Sequence, residues 1–153
     1  MKKFRFSLET VLDYKQQALN AAQMELAVII TQVQKQQDIL KAAEARYAGT
    51  NAEFCQRKAV GLTIADAMSY EMGLRVLEQE ILRETNTLTE LTKQEAAKRE
   101  ELIAAKVDTT SLELLREKNL DAYNKAVTKS EEQFIDELVG GGHARNSQVA
   151  MIG

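Results

Sequence analysis

The sequence predicts an all-α protein, a long two-helix antiparallel coiled-coil hairpin with an overhanging C-terminal helix end. Three observations predict it. The first is composition: the 153 residues include no Pro, no Trp and only 7 Gly, while Ala, Glu, Lys, Leu and Gln dominate, residues that lose little freedom on entering a helix. The second is a sustained seven-residue apolar repeat. The third is a single break within that repeat, "RKAVGLTIAD" at 57–66. Aromatic residues make up 5% of the chain, so a compact globular core lacks its largest fillers.

The first helix is expected over about 7–59. Ser7 is placed to cap it, Glu9 suits the positive end of the helix dipole, and Phe6 and Val11 have the spacing of a hydrophobic staple. From Leu12, every seventh residue is apolar: Leu12, Leu19, Leu26, Val33, Leu40, Tyr47 and Phe54. The companion column is mixed, reading Leu8, Lys15, Ala22, Ile29, Gln36, Ala43 and Thr50. Its polar members weaken the seam and help to set register. At 1.5 Å per residue the segment spans about 75–80 Å.

The turn follows from local chemistry. Gly61 suits the residue just past a helix end. Thr63 suits the next N-cap, with Asp66 three residues on as in a capping box, and Leu62 and Ala67 as a weak staple. So short a connection favours antiparallel helices. It sets Leu40 near Ile81 and Leu82, Leu26 near Ala96, and Leu19 near Leu102 and Ile103.

The second helix is expected over about 64–139. Its columns are Leu74, Ile81, Leu88, Glu95, Leu102 and Leu77, Glu84, Leu91, Lys98, Ala105. At 108–111, Asp, Thr, Thr and Ser favour caps and turns over helix interiors. Two readings stay open there: a kink with a new capping box at Thr110 and Glu113, or a continuous helix with a stutter. Counting back from the turn, residues from about 116 to 139 overhang the first arm with Leu120, Tyr123, Val127, Phe134 and Leu138 as an apolar stripe. Such a stripe marks a partner surface. Residues 1–139 thus form one hairpin, and the Gly-rich 140–153 is expected to be a flexible tail.

A net charge of -3 and a pI of about 5.3, without a basic stripe, argue against nucleic acid as a partner. The lone Cys55 excludes an internal disulfide and fits a reducing cytosol. "MKKFRFSL" has no apolar stretch of the kind a secretory signal needs. The longest apolar run, "AVII" at 27–30, falls far short of a bilayer span. A soluble cytoplasmic protein is therefore expected. The sequence holds no phosphate-binding glycine loop, no Cys/His cluster and no nucleophile signature. His143, the only histidine, lies in the Gly-rich tail. We therefore expect no enzyme: no catalytic residue, no metal, no cofactor and no small-molecule substrate.

The opening "FRFSLETVLDYKQQALNAAQMELA" together with the closing "LELLREKNLDAYNKAVTKSEEQFIDEL" resembles the flagellar type III export protein FliJ family. Leu112, Glu113, Leu115, Glu117, Lys118, Tyr123, Glu132, Gln133, Asp136 and Glu137 match the family's closing pattern, and "YEMGLRVLEQEI" at 70–81 is similar to its segment after the turn. The resemblance covers about residues 4 to 139.

It implies a stalk-like hairpin whose termini end enters the ring of the flagellar export ATPase and promotes ring assembly. It also implies that the hairpin end contacts the cytoplasmic domain of the membrane export gate, that the protein escorts export chaperones, and that it sits at the inner face of the cell membrane at the flagellar base. The residues it implies for the ATPase are Phe4, Leu8, Leu120, Tyr123, Val127, Phe134 and Leu138. Those for the gate are Gln36, Leu40, Ala43, Tyr47, Tyr70, Gly73 and Leu77, with Glu80 and Glu84 beside them. Phe4 is expected to pack with Phe134 or Leu138, to touch the ring, or only to cover the end of the coil. Leu40 and Tyr47 double as seam residues. The alternatives are a generic dimeric coiled-coil spacer, joined through 120–138, and a stalk subunit of another rotary ATPase.

Overall fold

The computed structural model describes residues 2–152, with side chains described through residue 142. It is a helical hairpin of two long helices packed against each other, α1 over Glu9–Val60 and α2 over Ile64–Ile152. Two compact units divide it, one made of residues 18–105 and the other of 1–17 with 106–153.

Within the 18–105 unit, the seam follows the heptads. Leu19, Leu26, Val33 and Phe54 are buried, while Leu40 and Tyr47 are half-buried. Ala43 is fully buried, and Ala22, Ile29 and Thr50 are half-buried beside it. From α2, residues spaced alternately three and four apart turn inward: Tyr70, Leu74, Leu77, Ile81, Glu84, Leu88, Leu91, Glu95, Lys98 and Leu102 are half-buried. Each buried Leu or Phe contributes about 1.5–3 kcal/mol of transfer energy, and the α1 columns are the more deeply buried side of the seam.

Polar pairs fix the register. The Lys98 ammonium donates to Glu25 of α1 at 2.9 Å and to Glu101 at 3.0 Å. These hydrogen bonds, the one to Glu25 first, hold its pKa above the ordinary value. The Gln36 side-chain amide is buried and donates to the backbone carbonyl (3.1 Å) and the carboxylate of Glu84. Arg46 pairs with Glu80. Rising α1 numbers meet falling α2 numbers, as an antiparallel pair requires.

The turn is built as its residues dictate. Gly61 takes φ +120°, a conformation that a Cβ disfavours, and its N–H donates to the Arg57 carbonyl at 3.0 Å. The Asp66 N–H donates to Thr63 Oγ1 at 3.2 Å, so Thr63 caps α2 as its spacing predicts.

In the unit formed by 1–17 and 106–153, Phe6, Leu12 and Thr109 are buried. The start of α1 differs from expectation. The helix opens at Glu9, whose N–H donates to the Phe6 carbonyl at 3.1 Å, and the Leu12 N–H donates to the Leu8 carbonyl at 2.8 Å. Phe6 is not stapled to Val11, which faces outward at 42% exposure. Because Phe6 precedes the helix, its side chain is free of the helical period and enters the core.

No break occurs at 108–111, where α2 is continuous. The Thr109 hydroxyl donates across the seam to the Lys15 carbonyl (3.3 Å), and Ser111 donates to the Val107 carbonyl one turn back (2.8 Å). Hydroxyls satisfied this way do not compete for the helical backbone bonds. The helix also runs beyond 139 through residue 152. The expected tail at 140–153 includes side chains from 143 onward that lie outside the described residues, His143 among them.

Candidate functional site: the termini end and the turn

At the termini end, the first residues form a strap on α2. Phe4 stacks on Tyr123 with ring centroids 5.6 Å apart and planes tilted by 54°. The Tyr123 hydroxyl donates to the Lys2 carbonyl. The Arg116 guanidinium lies 5.7 Å from the Phe4 ring centre and donates to the Glu9 carboxylate at 2.9 Å. Nearby, Lys15 pairs with Asp108 at 3.3 Å. Both ion pairs are substantially exposed and so are weak.

Phe4 packs with Tyr123, not with Phe134 or Leu138, which agrees with the expectation that it covers the end of the coil. The strap also moves the start of the overhang. The overhang does not begin near residue 116, because Arg116 and Tyr123 are engaged and Leu120 and Val127 are half-buried. The reason is rise per residue: an extended segment covers about 3.3 Å per residue against 1.5 Å for a helix, so a few non-helical residues reach much further along α2. The uncovered stretch begins at residue 128, and every residue from 128 to 142 is exposed. Phe134, Ile135, Leu138 and Val139 stand in the open at 57–62% exposure. Leu8 is also exposed, at 36%.

At the turn, the gate candidates divide by burial. Gln36 and Ala43 occupy seam positions of the heptad and are buried there. Leu40, Tyr47, Tyr70, Gly73 and Leu77 are half-buried at its margin. The Tyr47 hydroxyl donates to Glu78 at 3.3 Å. Tyr70 closes a cluster near the turn. Its ring lies 5.1 Å from that of Phe54, its hydroxyl donates to Glu53 at 2.9 Å, and it accepts from Arg57 at 3.1 Å. That hydrogen bond is the main cause holding the Arg57 pKa above its ordinary value. Lys58 sits 3.8 Å above the Phe54 ring.

One surface escaped the sequence reading. Ile64, Met68, Met72 and Val76 are all exposed. At about 100° per residue they form a stripe on the side of α2 opposite Tyr70 and Leu77. The signal was present as four-residue spacing of apolar residues off the heptad columns. Exposed Met side chains adapt to partner surfaces of varied shape.

No cluster able to hold a metal occurs among the described residues, and none of the described helices is long and apolar enough to cross a membrane. The fold and the uncovered stripes define an interaction protein of the coiled-coil hairpin class. No curated protein and no solved structure matches the chain significantly. Residues 4–148 match the family described as Flagellar FliJ protein, and the chain belongs to that family. It is accordingly a component of the flagellar export apparatus, and its family is not a known enzyme family.

Proposed function

We propose that the chain acts as a stalk, engaging the flagellar export ATPase ring through its termini end and linking that ring to the cytoplasmic domain of the membrane export gate through its turn end. The observation that carries this reading is the bare apolar stripe at Phe134, Ile135, Leu138 and Val139. An amphipathic helix end without a partner is marginal in water, and a contiguous apolar patch of this kind marks a docking surface. Leu120, Tyr123 and Val127 continue the same face under the strap, with Phe4 and Leu8 beside them. The gate contact falls on the outer stripe of Ile64, Met68, Met72 and Val76 together with the margin residues Leu40, Tyr47, Tyr70, Gly73 and Leu77. Export chaperones are further partners of the same surfaces. The protein works in the cytoplasm at the flagellar base, peripheral to the membrane.

The test is hydrolysis of ATP by the cognate export ATPase with and without the full chain, with ring formation followed by electron microscopy. Faster hydrolysis and filled rings are expected. An active ATPase indifferent to the folded protein would remove the stalk role.

A further inference from the structure

We propose that in the free protein the bare end of α2 is covered by the same end of a second copy of this chain, paired antiparallel about a two-fold axis. Two sets of charges carry this. On a helix turning about 100° per residue, Val127, Phe134 and Leu138 share one face, and Glu131 falls among them. Glu137 borders that face, and Glu132 lies further round the helix beside Ile135 and Val139. None of these carboxylates forms an ion pair among the described residues. At the strap, Lys2, Lys3 and Arg5 are exposed and line an open groove with Phe4, Asn119 and Tyr123. These cations also form no ion pair among the described residues.

Covering an apolar face that contains a carboxylate is costly unless the cover brings a cation. The occupant must therefore be apolar and basic together. The chain itself offers that combination, because its basic strap lies on the half-buried Tyr123 next to the half-buried Val127. Tyr123 precedes Glu131 by eight residues of α2, about 12 Å. Antiparallel overlap of two such ends sets each acidic stripe against the other copy's basic strap, the self-complementarity that a two-fold contact demands. The overlap is only a few helical turns, so the association is weak, and its charge contacts are screened by salt.

The stripe involved is the one assigned above to the ATPase ring, so the dimer is a stored form that competes with the ring. That consequence rests on the stalk reading, whereas the self-association does not.

Sedimentation velocity of the full chain over a wide concentration series tests the pairing at low and high salt. A reversible dimer is expected, weakened by salt. Lys2→Glu/Lys3→Glu/Arg5→Glu and Glu131→Lys/Glu132→Lys/Glu137→Lys should each weaken it by roughly tenfold or more through like-charge contacts. Mixing the two variants should restore association, since both contacts become attractive again. Helical content by circular dichroism checks that each variant folds. A chain that stays monomeric throughout overturns the inference and leaves the stalk reading standing. A dimer indifferent to both charge reversals, or a mixture that fails to associate, also overturns it. A dimer with the expected charge response but no effect on the ATPase supports the pairing and defeats the stalk reading.

Discussion

The turn and the termini end solve opposite problems with the same seam. Around the turn, covalent connection holds the helices together. Gly61 and Thr63 cap the two ends, and Phe54, Tyr70, Arg57 and Lys58 interlock over them. At the termini end nothing covalent joins α1 to α2. The junction depends on the buried Phe6 and Leu12, an aromatic strap and two exposed ion pairs, and every residue from 128 to 142 is exposed. The difference teaches where stability and exchange are placed: covalent connection and the Phe54 cluster make the turn durable, while the termini end adds to its buried Phe6 and Leu12 a strap of contacts that a partner can replace.

That contrast can be broken from either side. Phe54→Ala removes the buried ring beneath Tyr70 and should cost about 3–5 kcal/mol, read as a lower denaturant midpoint. A loss below 1 kcal/mol would mean that the turn cluster is ornamental. Gly61→Ala forces a Cβ into φ +120° and should cost about 1–3 kcal/mol in the same measurement, although open space surrounds the site.

Smaller effects sharpen the other side. Tyr123→Phe keeps the stacking on Phe4 but deletes the donor to Lys2, a loss of about 1 kcal/mol. Proteolytic cleavage within the strap should speed up roughly fivefold while the region near Phe54 stays resistant. Arg116→Gln should cost less than about 1 kcal/mol, and only at low salt.

Smallest is the alkaline response of Lys98. Its pKa is raised above the ordinary 10.5 by its bonds to Glu25 and Glu101, so its contribution is complete below pH 10.5 and is lost as pH climbs through the raised value. Lys98→Met should remove that alkaline component of unfolding and leave the neutral range flat.

The hairpin was legible in the sequence because burial follows period. The unbroken column from Leu12 to Phe54 is the buried seam, and Thr63 caps α2 as its spacing announced. Legibility failed where a tertiary partner outvoted a local preference. The residues at 108–111 left a kink and a continuous helix both open, and the tie is broken by a contact that local sequence does not show, the Thr109 hydroxyl on the Lys15 carbonyl across the seam. The strap was invisible to heptad counting because Lys2–Phe6 lies outside any helix. Gln36 and Ala43, gate residues by resemblance, hold companion-column positions in the heptad and are buried in the seam. The Met68 and Met72 stripe lies off the seam columns, so the heptad repeat carries no trace of it.

The most direct test of the account compares the two ends in one assay, stimulation of the cognate export ATPase. Phe134→Glu/Leu138→Glu alters the bare stripe at the termini end, and Met68→Glu/Met72→Glu alters the outer stripe near the turn. Both pairs are exposed, so both variants should fold as the parent does. The account predicts that the first variant loses stimulation and the second retains it. Stimulation that survives the first variant, or that disappears with the second alone, would contradict it.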